Sequence, residues 1–163
     1  DEGLYFTAGA DITTFDTELG KVGLEICYDF WYPEIVRIHA IRGALLVLNI
    51  SALPYQWTPA FQLLARARAA ENVVWLGYVN MVGTQKDVTF GGGSCLVDPS
   101  SAEIISSASA GEKAREEVIK GDIDLAAVNG LRVDLPILRD VRPEILQELY
   151  EVARQRYFLV QGR

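Results

Sequence analysis

Histidine is almost missing from this chain: His39 is the only one in 163 residues. A metal site built on several imidazoles is therefore excluded, and no Cys/His cluster has zinc-ligand spacing. Cysteine is nearly as scarce. Cys27 and Cys95 fall in different expected elements, so no disulfide between them is expected, and the thiol usage reads as a reducing, cytoplasmic setting. No apolar run approaches the roughly 20 residues of a membrane span. Basic residues are outnumbered, 15 against 22 acidic ones, which leaves a formal net charge of −7. They are also scattered. Nucleic acid requires a clustered positive surface, and an anionic membrane attracts the same sign, so neither partner is expected. The opening Asp1-Glu2-Gly3 resembles neither a signal peptide nor a natural start.

What is present is an ordinary globular composition, 50% hydrophobic and 23% charged, long enough for one domain with a core. The pattern reads as α/β. Residues 1–10 form a Gly-rich loop, 12–16 a short strand, and Glu18-Leu19-Gly20 a turn. Residues 21–26 are a buried strand. A helix follows over 33–42, with Pro33 in its first turn, Ile35, Ile38 and Ile41 at helical spacing, and Gly43 as its stop. Residues 44–50, ALLVLNI, read as a strand buried on both faces. Strand, helix, strand implies a parallel pair joined by a right-handed crossover. A second helix is expected over 58–72, capped by Thr58, then a strand over 73–80. Residues 83–93 read as a loop. A hairpin spans 94–105, and 116–123 reads as an edge strand. Asp124 is placed to cap a short helix reaching Leu131, and residues 143–157 form an amphipathic helix. Without repeats or linkers, the chain reads as one domain.

Cys27 stands where the 21–26 strand ends and the chain turns through Tyr28 and Asp29. Backbone N–H groups and a helix N-terminus near such a turn favour negative charge, and so a reactive thiolate. The thiol is therefore a candidate nucleophile; a buried structural cysteine, acting as a small hydrophobe, fits the same position. In open α/β sheets ligands bind beyond the carboxyl ends of the strands. That places the 51–59 loop, with Ser51, Ala52, Tyr55 and Trp57, beside Cys27 as a pocket wall. His39 lies too far along the helix to reach the sulfur. Lys21 lies at the far end of the Cys27 strand, about 20 Å away if extended.

The string Gly23-x-x-Ile26-Cys27-Tyr28-Asp29-x-x-Tyr32-Pro33-Glu34 resembles the cysteine signature of the nitrilase, or carbon–nitrogen hydrolase, superfamily. The resemblance continues through Gly43-Ala44, Arg68-Ala69-Ala70-Glu71-Asn72, Asn80, Gly93-Ser94 and Asp98-Pro99, and upstream through Glu2, Tyr5-Phe6, Gly9 and Phe15-Asp16-Thr17. It implies an α-β-β-α sandwich of four layers. It implies a Glu-Lys-Cys triad whose acid and lysine lie in an N-terminal half outside this sequence, so the chain is expected to be the C-terminal portion of a larger protein. Cys27 would attack an amide or nitrile carbon, and the backbone N–H of Tyr28 would serve the oxyanion. Glu2 matches a further glutamate that orients the lysine. Arg68, Glu71, Asn72 and Asn80 are expected to be structural, Asp29 and Glu34 to serve helix-end hydrogen bonds, and Cys95 to be core.

The resemblance thus implies hydrolysis of a small linear amide or N-carbamoyl compound through an acyl-thioester, without metal or organic cofactor. Nitrile hydrolysis and acyl transfer share that thioester, and a catalytically silent subunit of the same fold is the alternative from another class. The missing segment is expected to cover exposed sheet surface. A homodimer or larger homo-oligomer is expected, with the tail RQRYFLVQGR reaching a neighbouring subunit.

Overall fold

The computed structural model of the chain describes residues 4–7, 9 and 11–161. Its centre is a six-stranded sheet in the order β1-β2-β3-β4-β7-β8. The strands are β1 (Thr14–Thr17), β2 (Gly20–Ile26), β3 (Leu46–Ser51), β4 (Trp75–Asn80), β7 (Cys95–Val97) and β8 (Ile104–Ser107). β2, β3 and β4 run parallel, and the others pair antiparallel. The crossovers are α1 (Pro33–Ile41) and α2 (Thr58–Asn72), as strand-helix-strand connectivity requires. A separate hairpin joins β5 (Val82–Gln85) to β6 (Val88–Gly91). Two further helices follow, α3 (Ala127–Asp134) and α4 (Pro143–Gln161).

Alternation along each strand divides the sheet into two faces. One carries Gly23, Val47, Leu76 and Val97 in one row and Glu25, Asn49, Tyr78 and Cys95 in the next. α1 and α2 cover this face, and Val36, Ala40, Phe61, Ala65 and Ala69 complete the core. Phe30 stacks on Tyr78, with centroids 6.3 Å apart, and meets Phe61 at 5.7 Å. The opposite face carries Leu24, Ile26, Ile50 and Val79, all largely exposed, Ile26 to 62%. β3 is therefore not buried on both faces as its apolar run implied; on its second face Leu46 and Leu48 are half-buried and Ile50 is exposed.

Close approach explains one glycine. A Cβ at Gly23 would lie 2.5 Å from His39 Cγ, so α1 packs on β2 only because that position is bare. Gly23→Ala is expected to cost about 1–3 kcal/mol through overpacking, read as a lowered midpoint in urea. His39 is buried there and pairs with Thr14 Oγ1 through Nδ1 at 3.1 Å. Burial holds its pKa below the ordinary histidine value.

Several sequence expectations are corrected. Residues 83–93 hold most of the β5–β6 hairpin rather than a loop: Val82–Gln85 pairs antiparallel with Val88–Gly91 across Lys86-Asp87. No strand forms over 116–123; Glu116, Glu117 and Lys120 interrupt its alternation, and Glu117 instead accepts from Ser109 N at 2.7 Å. Thr58 is inside α2 rather than capping it: Trp57 is the N-cap and makes no side-chain cap bond. β1 starts at Thr14 instead of residue 12, and α4 runs to Gln161. Asp124 does accept from Ala127 N at 3.0 Å at the start of α3. No helix among the described residues is long and apolar enough to cross a membrane.

Candidate active site at the end of the second strand

β2 ends at Ile26, and a five-residue 3-10 turn, Cys27–Trp31, replaces it. Cys27 takes φ 45°, in the left-handed region. A residue with a Cβ pays about 1–2 kcal/mol there, and such strain gathers where geometry serves a site. Asp29 locks the turn, its Oδ2 accepting from Ile26 N at 3.1 Å. The first N–H groups of a helical turn have no acceptor within it, and Cys27 and Tyr28 hold those positions here. Cys27 is half-buried and free; Cys95 is buried and free. Burial pushes the Cys95 thiol up to about 12, as befits a core side chain.

The register brings the strand ends together. Ile26 pairs with Ile50, and Ser51 with Asn80, so Ser51 flanks Cys27 and Asn80 lies one strand further. Asn80 latches the loops around this end. Its Oδ1 accepts from Leu53 N at 2.7 Å, and its Nδ2 donates to Leu53 O at 3.3 Å and Gly92 O at 3.0 Å. Asn80→Ala would strand these three backbone groups, and about 3 kcal/mol of stability should be lost, measured by thermal unfolding. Trp57 lines a cleft of about 430 Å³ together with Tyr28, Trp31, Leu53 and Pro54. Of the expected wall residues, Ala52 is exposed and Ser51 half-buried. Tyr55 is half-buried, and its backbone packs against Gly91, where a Cβ would collide with it. Trp31 joins through edge contacts to Trp57 at 6.0 Å and Phe61 at 5.4 Å. A larger cavity, about 510 Å³ with Trp75, Asp98, Asp124 and Asp134, lies at the start of β4. It is at the opposite end of the parallel strands from Cys27.

Behind the turn lies a feature that sequence reading missed. Glu25 is 1% exposed, two residues before Cys27. Burial, then the Asp29 carboxylate, push its acid up to about 8; Arg68 and the Asn49 amide pull it back. No hydrogen bond of good geometry closes within the chain, since both Glu25 oxygens and Asn49 Nδ2 lack a partner among the described residues. Glu25 alternates in phase with Gly23, and that period could have flagged it as inward-facing. Arg68 pairs with Glu71 at 3.0 Å, and Asn72 donates to Arg68 O at 2.9 Å, the structural roles expected of them. Lys21 pairs with Asp16 at 2.6 Å at the far end of β2. Glu2 lies outside the described residues. No group of His, Cys, Asp and Glu among the described residues is arranged to hold a metal.

A family model described as carbon-nitrogen hydrolase matches residues 1–133. An omega-amidase of Mus musculus is 33% identical over 146 residues, 88% of this chain and 51% of the relative. A carbon-nitrogen hydrolase from Helicobacter pylori G27 superposes with a TM-score of 0.80 at 30% identity, covering 91% of this chain and 56% of that one. An amidase from Nesterenkonia sp. AN1, in a structure showing covalent addition of the acetamide moiety of fluoroacetamide at its active site cysteine, gives a TM-score of 0.73 at 30% identity, covering 90% and 51%. The chain spans about half the length of the curated relatives it matches.

Proposed function

This chain belongs to the carbon–nitrogen hydrolase family, and from that premise we propose that Cys27 is the nucleophile of an amidase acting on small linear amides or N-carbamoyl compounds. The observation that carries the reading is the strained Cys27 turn at the carboxyl end of the parallel strand β2. The thiolate attacks the amide carbon, and the oxyanion takes the Tyr28 N–H. The C–N bond breaks, and ammonia or an amine leaves with a proton. Water then cleaves the thioester C–S bond and restores the thiol. The acid and lysine that move these protons are assigned to a polypeptide segment outside this chain. Glu2 is assigned to orient that lysine, and Ser51, Ala52 and Trp57 to the substrate wall.

The same segment is proposed to cover the apolar sheet face around Leu24, Ile26, Ile50 and Val79, completing a four-layer sandwich in a single domain. An uncovered face of this kind is an aggregation hazard. Homo-oligomerisation is proposed through the surface near the nucleophile and α4, whose Ile145, Leu149 and Val152 are exposed. Two free cysteines support a reducing compartment such as the cytoplasm.

The test incubates the whole protein, including its upstream segment, with a panel of short amides, N-carbamoyl compounds and nitriles. Ammonia release, with an acyl adduct on Cys27 by mass spectrometry, is the expected result. No turnover of any member would favour a catalytically silent subunit. Product formed only with an amine acceptor would assign acyl transfer.

A further inference from the structure

We propose that Glu25 is a positioning residue for the Cys27 site, acting through Asn49 on the Ser51 hydroxyl. The inference rests on the reading of Cys27 as nucleophile and concerns a side chain that reading leaves without a role.

Adjacency comes first. Glu25 stands opposite Asn49 in the β2–β3 register; two residues on, Cys27 begins the 3-10 turn and Ser51 ends β3. Ser51 Oγ donates to Asn49 Oδ1 at 2.7 Å. With that carbonyl engaged, Asn49 has its amide N–H groups to offer, and Nδ2 is buried without a partner beside the buried, unpartnered Glu25 carboxyl. A line of three side chains thus runs from the core to the flank of the nucleophile. Buried polar groups of this kind are held by one another or by ordered water.

The surrounding charges explain why the neutral carboxyl is the working form. Asp29 faces Glu25 from the turn and already accepts from Ile26 N. From α2 comes Arg68, committed to Glu71. α1 brings His39, packed on Gly23, and Arg37, which senses Glu71. β1 contributes the neutral Thr14, and β4 the Tyr78 phenol, which burial keeps protonated. Ionised, Glu25 would set a second anion against Asp29 and draw the Asn49 amide toward itself. Both changes disturb the clamp on the turn and the Ser51 hydroxyl.

The whole protein is used for the test. The rate of Cys27 alkylation by iodoacetamide, located by mass spectrometry, is followed from pH 6 to 10 in the unaltered protein, Glu25→Gln, Ser51→Ala and the double variant. Amide hydrolysis is followed on the same samples. Glu25→Gln should change the ratio of alkylation rates at pH 9 and pH 7 at least fivefold relative to the unaltered protein, beyond the thiol's own ionisation, which all four proteins share. Ser51→Ala should cancel that change in the double variant. An unchanged ratio in Glu25→Gln overturns the proposal, as does an equal change with Ser51 removed. If Glu25→Gln fails to fold, Ser51→Ala decides: a changed ratio supports the line, and an unchanged one overturns it. A Glu25-dependent change of ratio without amide turnover would sink the proposed activity and leave the positioning line standing; turnover without that change does the reverse.

Discussion

Cys27→Ala is expected to lower the proposed amide hydrolysis by the whole protein at least about 10⁴-fold, which corresponds to more than about 5 kcal/mol of transition-state stabilisation. A nucleophile acting with other groups as a unit typically shows losses of this size when removed alone. Nothing described nearby can replace it. Cys95 is sealed in the core with its thiol pushed up to about 12. Ser51 stands beside Cys27, but its hydroxyl is committed to Asn49. Steady-state rates with a short amide measure the loss. A second variant separates chemistry from folding. Cys27→Gly should be equally inactive yet more stable by about 1 kcal/mol, because glycine adopts φ 45° without the Cβ penalty. A Cys27→Ala protein keeping more than a tenth of the activity would remove Cys27 from the role.

Glu25→Gln has the second largest effect, on stability. The carboxyl ordinarily titrates near 4.5 and is pushed up to about 8 in the fold, chiefly by burial. Between those values the native state holds a proton that the unfolded state has released. Stability is therefore full below about pH 4.5 and falls by about 1.4 kcal/mol per pH unit until Glu25 ionises near 8, then levels. Summed over that window the loss approaches 5 kcal/mol, an upper bound because water and relaxation soften buried charge. Glutamine has the same shape and carries no charge. Chemical denaturation should find the two proteins within about 1 kcal/mol at pH 4.5, with Glu25→Gln more stable by about 3–5 kcal/mol at pH 9. Parallel curves across this range would mean that Glu25 is solvated and ordinary.

Both predictions concern residues two positions apart, yet only one was legible from sequence. Cys27 announced itself because an apolar strand stops at a thiol and a Pro-Glu helix start follows. Such punctuation is local, and so are the helix periods of α1 and α2. Asp124 was readable for the same reason: a side chain three residues from the N–H it receives needs no tertiary contact. The failures are also local in cause. Val82–Gln85 and Val88–Gly91 are short, polar and glycine-containing, so their pairing rests on cross-strand bonds that neither segment displays alone. Residues 116–123 alternate weakly, and no neighbour supplies the ladder.

The sequence by itself determined the β2-α1-β3-α2-β4 succession, the turn that presents Cys27, and the family to which the chain belongs. These depend on spacing along the backbone and on the dihedral preferences of proline and glycine. Only the tertiary structure decided that Glu25 is buried opposite Asn49, whose amide oxygen takes the Ser51 hydroxyl, and that Tyr28, Trp31 and Trp57 share one cleft. Those outcomes depend on strand register and on which surfaces exclude water. Both are set by contacts between residues dozens of positions apart, and a carboxylate's charge follows the dielectric it is buried in rather than its neighbours in the chain.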